Sequence, residues 1–218
     1  VVLGGDGSRL FRMGTNGLAT DVSSSSGLST LGAINGLLID LDFTGKLDLV
    51  AVAGNSNEVQ VLRQSGRTVG IGLQTMSFTN ITGMSGVPAT LRNVQAVVME
   101  DWNRDNVMDV IANRTARPPL LLEKQRGGKL VPREQNRWVE GSAFCAGDFD
   151  NDLRPDLAVF GAGSISICFN GGERKDITVP GGEAFRQLVP VDYDNDGWLD
   201  LWAVGEKIRV WRNLGLSG

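Results

Sequence analysis

Acidic residues recur at alternate positions in four nine-residue stretches of this sequence, at 40–48, 101–109, 148–156 and 192–200. Positions 1, 3, 5 and 9 hold Asp40, Asp42, Thr44 and Asp48 in the first stretch and Asp101, Asn103, Asp105 and Asp109 in the second. They hold Asp148, Asp150, Asp152 and Asp156 in the third, and Asp192, Asp194, Asp196 and Asp200 in the fourth. In a tightly curled loop, alternate residues turn inward together. Oxygens from positions 1, 3 and 5 then converge with a backbone carbonyl at position 7 and an acid at position 9. Lys46, Val107, Arg154 and Trp198 stand at position 7, and a residue used only for its carbonyl is free to be this diverse. An all-oxygen donor set suits Ca2+, whereas Mg2+ demands octahedral geometry and transition metals favour His or Cys ligands. Without a cation, two carboxylates about 4 Å apart repel by about 4 kcal/mol at an effective dielectric near 20. Up to four Ca2+ are therefore expected, with the first and second loops weaker because each has three carboxylates. The ion-free alternative has the same residues forming Asx-type turns between strands.

Other chemistry is largely closed off. The chain has no histidine, which excludes Ser-His-Asp and Cys-His catalysis and imidazole-ligated metals. Cys145 and Cys168 form no CxxC pair, so a zinc or redox site is not expected. Carbohydrate hydrolysis by two carboxyl groups remains open as an alternative, with Glu58, Glu123, Glu134, Glu140, Glu173, Glu183 and Glu206 as the acids outside the loops. No pair among them is marked out by spacing. The formal charge of −4 and scattered Lys and Arg argue against a nucleic-acid partner. Since 14 of the 25 acids lie in the loops, four bound Ca2+ would bring that charge to about +4, so acidity reports the metal loops rather than an acidic partner surface. No apolar run approaches the roughly 20 residues needed to span a bilayer as a helix.

The elements that position these loops also repeat. The loops start 61, 47 and 44 residues apart, a spacing that suits four-stranded blades. An apolar run precedes each loop: Leu37–Ile39, Ala96–Met99, Ala143–Ala146 and Leu188–Val191. Another follows each: Leu49–Val52, Val110–Ala112, Leu157–Phe160 and Leu201–Val204. Each loop should thus join two buried strands. Gly54, Gly161 and Gly205 then turn the chain into third strands at Val59–Leu62, Ile165–Phe169 and Ile208–Trp211, and Leu120–Leu122 is the corresponding segment of the second repeat. Fourth strands are expected near Met76–Thr79 and Ile177–Val179, while Leu130–Val131 and Trp138–Val139 compete for that place in the second repeat. With 29 glycines and 6% aromatics, helices should be few.

The predicted fold class is all-β, a β-propeller built from four-stranded antiparallel blades. A single propeller segment covers residues 1–218, with a partial blade at 1–30, blades around the loops at 40–48, 101–109 and 148–156, and a partial blade at 188–218 around the loop 192–200. Val1–Leu3 and Arg9–Arg12 read as the second and third strands of the first partial blade. An incomplete set of blades leaves unpaired edges, so the chain is expected to continue into further blades of a longer polypeptide.

These residues resemble the FG-GAP/VCBS repeat family, the repeats of integrin α-subunit propellers and of many large bacterial secreted proteins. The match rests on Asp-x-Asp-x-Asp-Gly-x-x-Asp followed by an apolar strand and is closest at Asp192–Asp200. Arg9–Arg12 and Val210–Asn213 also look like third strands of such blades. The resemblance implies a β-propeller with calcium between first and second strands and no single activity, since the repeat serves adhesion receptors, lectins and a few enzymes. Asn106 and Leu153 stand where the repeat has Gly, and Leu tolerates a left-handed backbone poorly, so the third loop is expected to bend differently.

The reading that follows is a non-enzymatic calcium-binding scaffold for a protein or glycan ligand, with calcium structural and the location extracellular or periplasmic, where calcium near ~1 mM suits weak sites. The alternative is a carbohydrate-active enzyme or its accessory domain. Cys145 and Cys168, on strands separated by a third, should be buried free thiols. Trp198, in a loop, is the best exposed sugar-stacking candidate among Trp102, Trp138, Trp198, Trp202 and Trp211. Arg114, Arg117, Arg126, Arg133 and Arg137 are expected on a solvated surface. Asn80 and Asn113 begin glycosylation sequons, meaningful only in a eukaryotic secretory pathway.

Overall fold

A computed structural model of the chain describes residues 1–69 and 73–215, with the side chains of 67–69 and 73–75 left aside. The protein is all-β: seventeen strands are described, and the one α-helix among the described residues, α1 (Ser23–Ser26), has four residues. Strands β1 (Phe11–Met13) and β2 (Ala19–Asp21) form a two-stranded ribbon. A four-stranded sheet follows, β3 (Ala33–Ile39), β4 (Asp48–Ala53), β5 (Val59–Val69) and β6 (Leu73–Asn80), paired in sequence order. Strands β7 (Val94–Glu100), β8 (Asp109–Arg114), β9 (Arg117–Lys124) and β10 (Leu130–Arg133) make the second such sheet. The third contains β11 (Ala143–Gly147), β12 (Asp156–Gly161), β13 (Ser164–Cys168) and β14 (Arg174–Thr178). The last sheet has three strands, β15 (Phe185–Val191), β16 (Asp200–Gly205) and β17 (Ile208–Trp211). Each sheet is open rather than closed into a barrel, and in the first, third and last sheets neighbouring strands pair antiparallel.

Hydrophobic patterning explains the order within each sheet. The second strands Asp48–Ala53 and Asp109–Arg114 are buried along their whole length; the first is a continuous apolar run after one Asp, while the second ends in the buried polar residues Asn113 and Arg114. The fourth strand β14 is exposed at most positions and correspondingly polar. Leu130–Val131, rather than Trp138–Val139, supplies the fourth strand of the second sheet, while Trp138 instead meets Trp102 edge-to-face at 4.8 Å. The fourth strand expected near Met76–Thr79 lies within β6, which pairs with β5 through Leu62↔Asn80 and Gly66↔Met76.

The chain divides into two compact units. The first comprises 1–97 with 122–132, the second 98–121 with 133–218, and the division passes through the residues of the second sheet. In the first unit, Leu10, Leu28 and Leu31 pack with Ala33, Leu49, Ala51 and Leu62 of the first sheet. In the second, Ala143, Cys145, Ala158, Phe160 and Ile165 pack with Phe185, Leu188, Leu201 and Ala203.

The amino-terminal segment differs from the expected second and third strands. Val1–Leu3 meets Arg9 only in a single antiparallel bridge at Val2, and the strand begins at Phe11. The backbone of Leu10 is already engaged, its N–H donating to Ser23 Oγ and its carbonyl accepting from Val22, which turns pairing toward β2. Arg114 also departs from expectation. It is buried, and its guanidinium forks onto Glu134 at 3.0 and 2.7 Å while donating to the Pro118 carbonyl at 2.7 Å, whereas Arg117, Arg126, Arg133 and Arg137 are exposed. Asn113 is buried in β8, unlike the exposed Asn80. Cys145 and Cys168 are buried free thiols on β11 and β13, with β12 between them, and burial pushes both up from the usual thiol range.

Candidate metal centres

Each acidic loop joins the first and second strands of its sheet, and all four fold alike. The carboxylate at position 1 accepts two backbone N–H groups, from positions 5 and 6. Asp40 binds Thr44 and Gly45 at 3.0 and 2.8 Å, and Asp101 binds Asp105 and Asn106 at 3.0 and 2.9 Å. Asp148 binds Asp152 and Leu153 at 3.1 and 2.9 Å, and Asp192 binds Asp196 and Gly197 at 3.0 and 2.9 Å. Positions 4 and 6 have left-handed backbones throughout: Phe43, Arg104, Asn151 and Asn195 at the fourth, then Gly45 (φ 78°), Asn106 (64°), Leu153 (67°) and Gly197 (88°) at the sixth. The third loop therefore bends like the others, contrary to what Leu153 suggested. The two N–H bonds to Asp148 impose the conformation on a side chain that stays 75% exposed.

Position 9 is the first residue of the second strand, and there the carboxylate is buried. Asp48, Asp109, Asp156 and Asp200 are at most 1% exposed. Buried carboxylates persist only with partners. Asp156 accepts the N–H groups of Phe149 at 2.9 Å and Asn170 at 2.8 Å; Asp200 accepts those of Tyr193 at 3.1 Å and Asn213 at 2.7 Å. Asp48 accepts Gln64 N–H at 2.8 Å. Each of these three thus ties the loop to its sheet's third strand, within β5 at Gln64 and just past β13 and β17 at Asn170 and Asn213. Burial is the main reason the Asp156 carboxyl is pushed up to about 6, with Asp150 and Asp152 adding repulsion against the two N–H bonds. Burial likewise raises Asp150, with Asp152 and Asp148 as neighbouring charges, and raises Asp48, where Asp42 adds to the effect and Arg63 opposes it.

The expected ligands come together unequally. Asp148, Asp150 and Asp156 have carboxylate oxygens within 4.8 Å of one another, as do Asp192, Asp194 and Asp200. Among the described residues, no third group of this kind occurs. Residues at position 5 instead brace the loop: Asp105, Asp152 and Asp196 accept the N–H groups of Val107, Arg154 and Trp198 at 2.9, 2.8 and 3.0 Å. In the second loop, Asn103 accepts Asp105 N–H and donates to its carboxylate at 3.1 Å. In the first, Thr44 donates its hydroxyl to Asp42 at 2.8 Å. Lys46 lies exposed at position 7 of that loop, at the tip between β3 and β4.

The third and fourth loops each bring together carboxylates that could hold a metal ion. Three carboxylates converge in each, one of them buried, and at Asp156 the cost of burial outweighs its two N–H bonds and raises the pKa. A cation there would relieve that cost by favouring the ionised form.

Sequence reasoning missed the side chains that approach the loops from the third strands. Arg63 reaches Asp42 at 3.5 Å, and Arg212 reaches Asp194 at 2.5 Å and Asp196 at 3.1 Å. Asn170 and Asn213 donate to the carbonyls of Trp102 at 3.0 Å and Phe149 at 2.8 Å, each at the second position of the preceding loop. The signal was present: each Asn directly follows a third-strand pattern, as Phe169-Asn170 and Arg212-Asn213. Trp198 is half-buried against Gly215 rather than exposed, and Tyr193 is the exposed ring of that loop, at 50%. Three of the glutamates considered for acid–base chemistry face arginines: Glu58 with Arg92, Glu134 with Arg114 and Glu183 with Arg209. Those hydrogen bonds hold Glu134 and Glu183 below the usual carboxyl range.

Four-stranded antiparallel sheets, each opened by an acidic loop between its first two strands, define an all-β repeat protein. Residues 148–203, from the third loop into β16, match the family model of the FG-GAP-like repeat. No curated protein matches the chain. Among solved structures, a chain of the Photorhabdus luminescens Tc holotoxin pore, with a TccC3 variant, is similar over 96% of this chain at 19% identity and a TM-score of 0.45. The chain spans 11% of that protein chain's length.

Proposed function

We propose that the chain is a set of β-propeller blades whose acidic loops hold structural calcium and whose surface binds a protein or glycan ligand outside the cell or in the periplasm. The observation that carries this reading is the pair of carboxylate groups at Asp148, Asp150, Asp156 and Asp192, Asp194, Asp200, each built on the same loop conformation. Position 9 anchors the strand, position 1 organises the loop backbone, and position 3 closes the group. A bound Ca2+ would neutralise charge that burial and mutual repulsion otherwise penalise. The carboxylates are then structural, and ligand binding falls to other surface residues. No enzymatic step is assigned to the chain. No helix among the described residues is long and apolar enough to cross a membrane.

At about 1 mM Ca2+ and a dissociation constant of about 0.1 mM, each site would stabilise the fold by about 1.4 kcal/mol. The test is thermal unfolding of EDTA-treated protein, followed by Ca2+ titration with Mg2+ as control. A calcium-specific rise in midpoint, with ions counted by calorimetry, supports the reading. An unchanged midpoint and no heat of binding would leave acidic turns without an ion and return the carboxylates to consideration as catalytic groups.

A further inference from the structure

The first loop differs from the third and fourth in what stands beside its carboxylates. Arg63, on β5, has Nε 3.5 Å from Asp42 Oδ2 and 4.0 Å from Asp48 Oδ2. Nε and Asp48 Oδ2 are both sealed from solvent without a hydrogen-bond partner, and Nε stands as countercharge to Asp42 and Asp48 together. Lys124 is also buried here, its ammonium donating to the Asp40 carbonyl and lying 4.1 Å from the centre of the Phe43 ring. Gly128 packs against the same spot, where a Cβ would meet Arg63 at 3.1 Å and Asp42 at 3.2 Å. Two protein cations therefore stand against three carboxylates, and Thr44 contributes a hydroxyl where the other loops have Asp.

Register sharpens the comparison. Arg63 directly precedes Gln64, whose N–H caps the ninth-position Asp48. The matching residue before Asn170 in the third loop is Phe169, which brings no charge. Before Asn213 it is Arg212, which takes Asp194 and Asp196 and leaves Asp200 to backbone donors. Of these three residues, Arg63 is the one whose guanidinium approaches the buried ninth-position carboxylate, at 4.0 Å from Asp48.

We infer that the first loop is closed by an internal cation, Arg63 supported by Lys124, and takes no calcium. This rests on the reading of the third and fourth loops as calcium sites. A divalent ion in the first loop would have to expel Arg63 from a partly buried position or share the loop with it, and like charges a few ångströms apart repel strongly there. The first sheet then keeps its loop ordered when calcium is scarce, while the third and fourth loops respond to the ion.

The experiment uses the full chain, with calcium bound per molecule counted by calorimetry for the unsubstituted protein, Asp150→Asn and Asp42→Asn, and melting in EDTA for Arg63→Gln alone and combined with Asp42→Asn. Asp150→Asn should lose one bound ion and Asp42→Asn none. In EDTA, Arg63→Gln should melt about 2–4 °C lower, and the added Asp42→Asn should recover part of the loss. Loss of an ion in Asp42→Asn, or an unchanged EDTA midpoint in Arg63→Gln, overturns the inference. If the unsubstituted chain binds no calcium, the reading of the other loops fails, and the EDTA arm alone decides the role of Arg63.

Discussion

Leu153 holds a left-handed backbone, φ 67°, with three-quarters of its side chain in solvent. Such a conformation costs an ordinary L residue roughly 1–2 kcal/mol, and Gly avoids that cost while giving back part of it as chain entropy in the unfolded state. Leu153→Gly should therefore stabilise the protein by about 1 kcal/mol, read as a higher thermal midpoint. A lower midpoint would mean that Leu153 makes contacts worth more than its strain. Asp156 carries the pH dependence at this scale. Its folded pKa of about 6 lies above the unfolded value near 3.9, so its contribution to stability is fully present below about pH 3.9 and lost as pH rises through about 6. Without calcium the loss is on the order of 2 to 3 kcal/mol, and Asp156→Asn should remove it. Urea midpoints in EDTA between pH 4 and 7.5, native against Asp156→Asn, measure the difference. A difference that grows with pH in the opposite sense would reverse the assignment.

Among the elements, the second strands carry the most burial, and the Asn residues after the third strands join one loop to the next. Leu157 is fully buried on β12, and Leu157→Ala should cost about 2–5 kcal/mol, depending on how far the site collapses. Asn213 donates to both Phe149 and Leu199 carbonyls, so Asn213→Ala strands two acceptors and should cost about 1–3 kcal/mol. Chemical denaturation reads both. An Asn213→Ala change within about 0.5 kcal/mol of native would place these bonds among solvent-exchangeable contacts. The strands themselves were legible because apolar runs, one leading Asp and a following turn residue mark each of them. The second sheet's last strand was not, because Leu130–Val131 and Trp138–Val139 are equally apolar and only packing of Trp138 on Trp102 separates them.

For the whole molecule, charge is the readable property. Two Ca2+ at the third and fourth loops would bring the formal charge from −4 to zero, so native electrophoresis in calcium should slow migration toward the anode relative to EDTA. Equal mobility in both buffers would count against both sites. Near-zero net charge also predicts lower solubility in calcium than in EDTA at low salt, since self-repulsion falls.

Residue order alone determined the repeat, the all-β class, the place of each acidic loop between two strands and the carboxylate-rich character of that loop. Those features are local: the spacing of carboxylates, the apolar runs and the turn residues lie within a few positions of one another. Tertiary structure decided the rest. It made position 9 a buried strand residue capped by a backbone N–H from 13 to 16 residues later. It brought Arg63 onto Asp42 and Arg212 onto Asp194, and it gathered three carboxylates in two loops. It also forced Leu153 into the conformation expected only of Gly. Each of these depends on which third strand returns beside a loop, and pairing across a sheet is set by the packing of whole strands rather than by the residues of the loop.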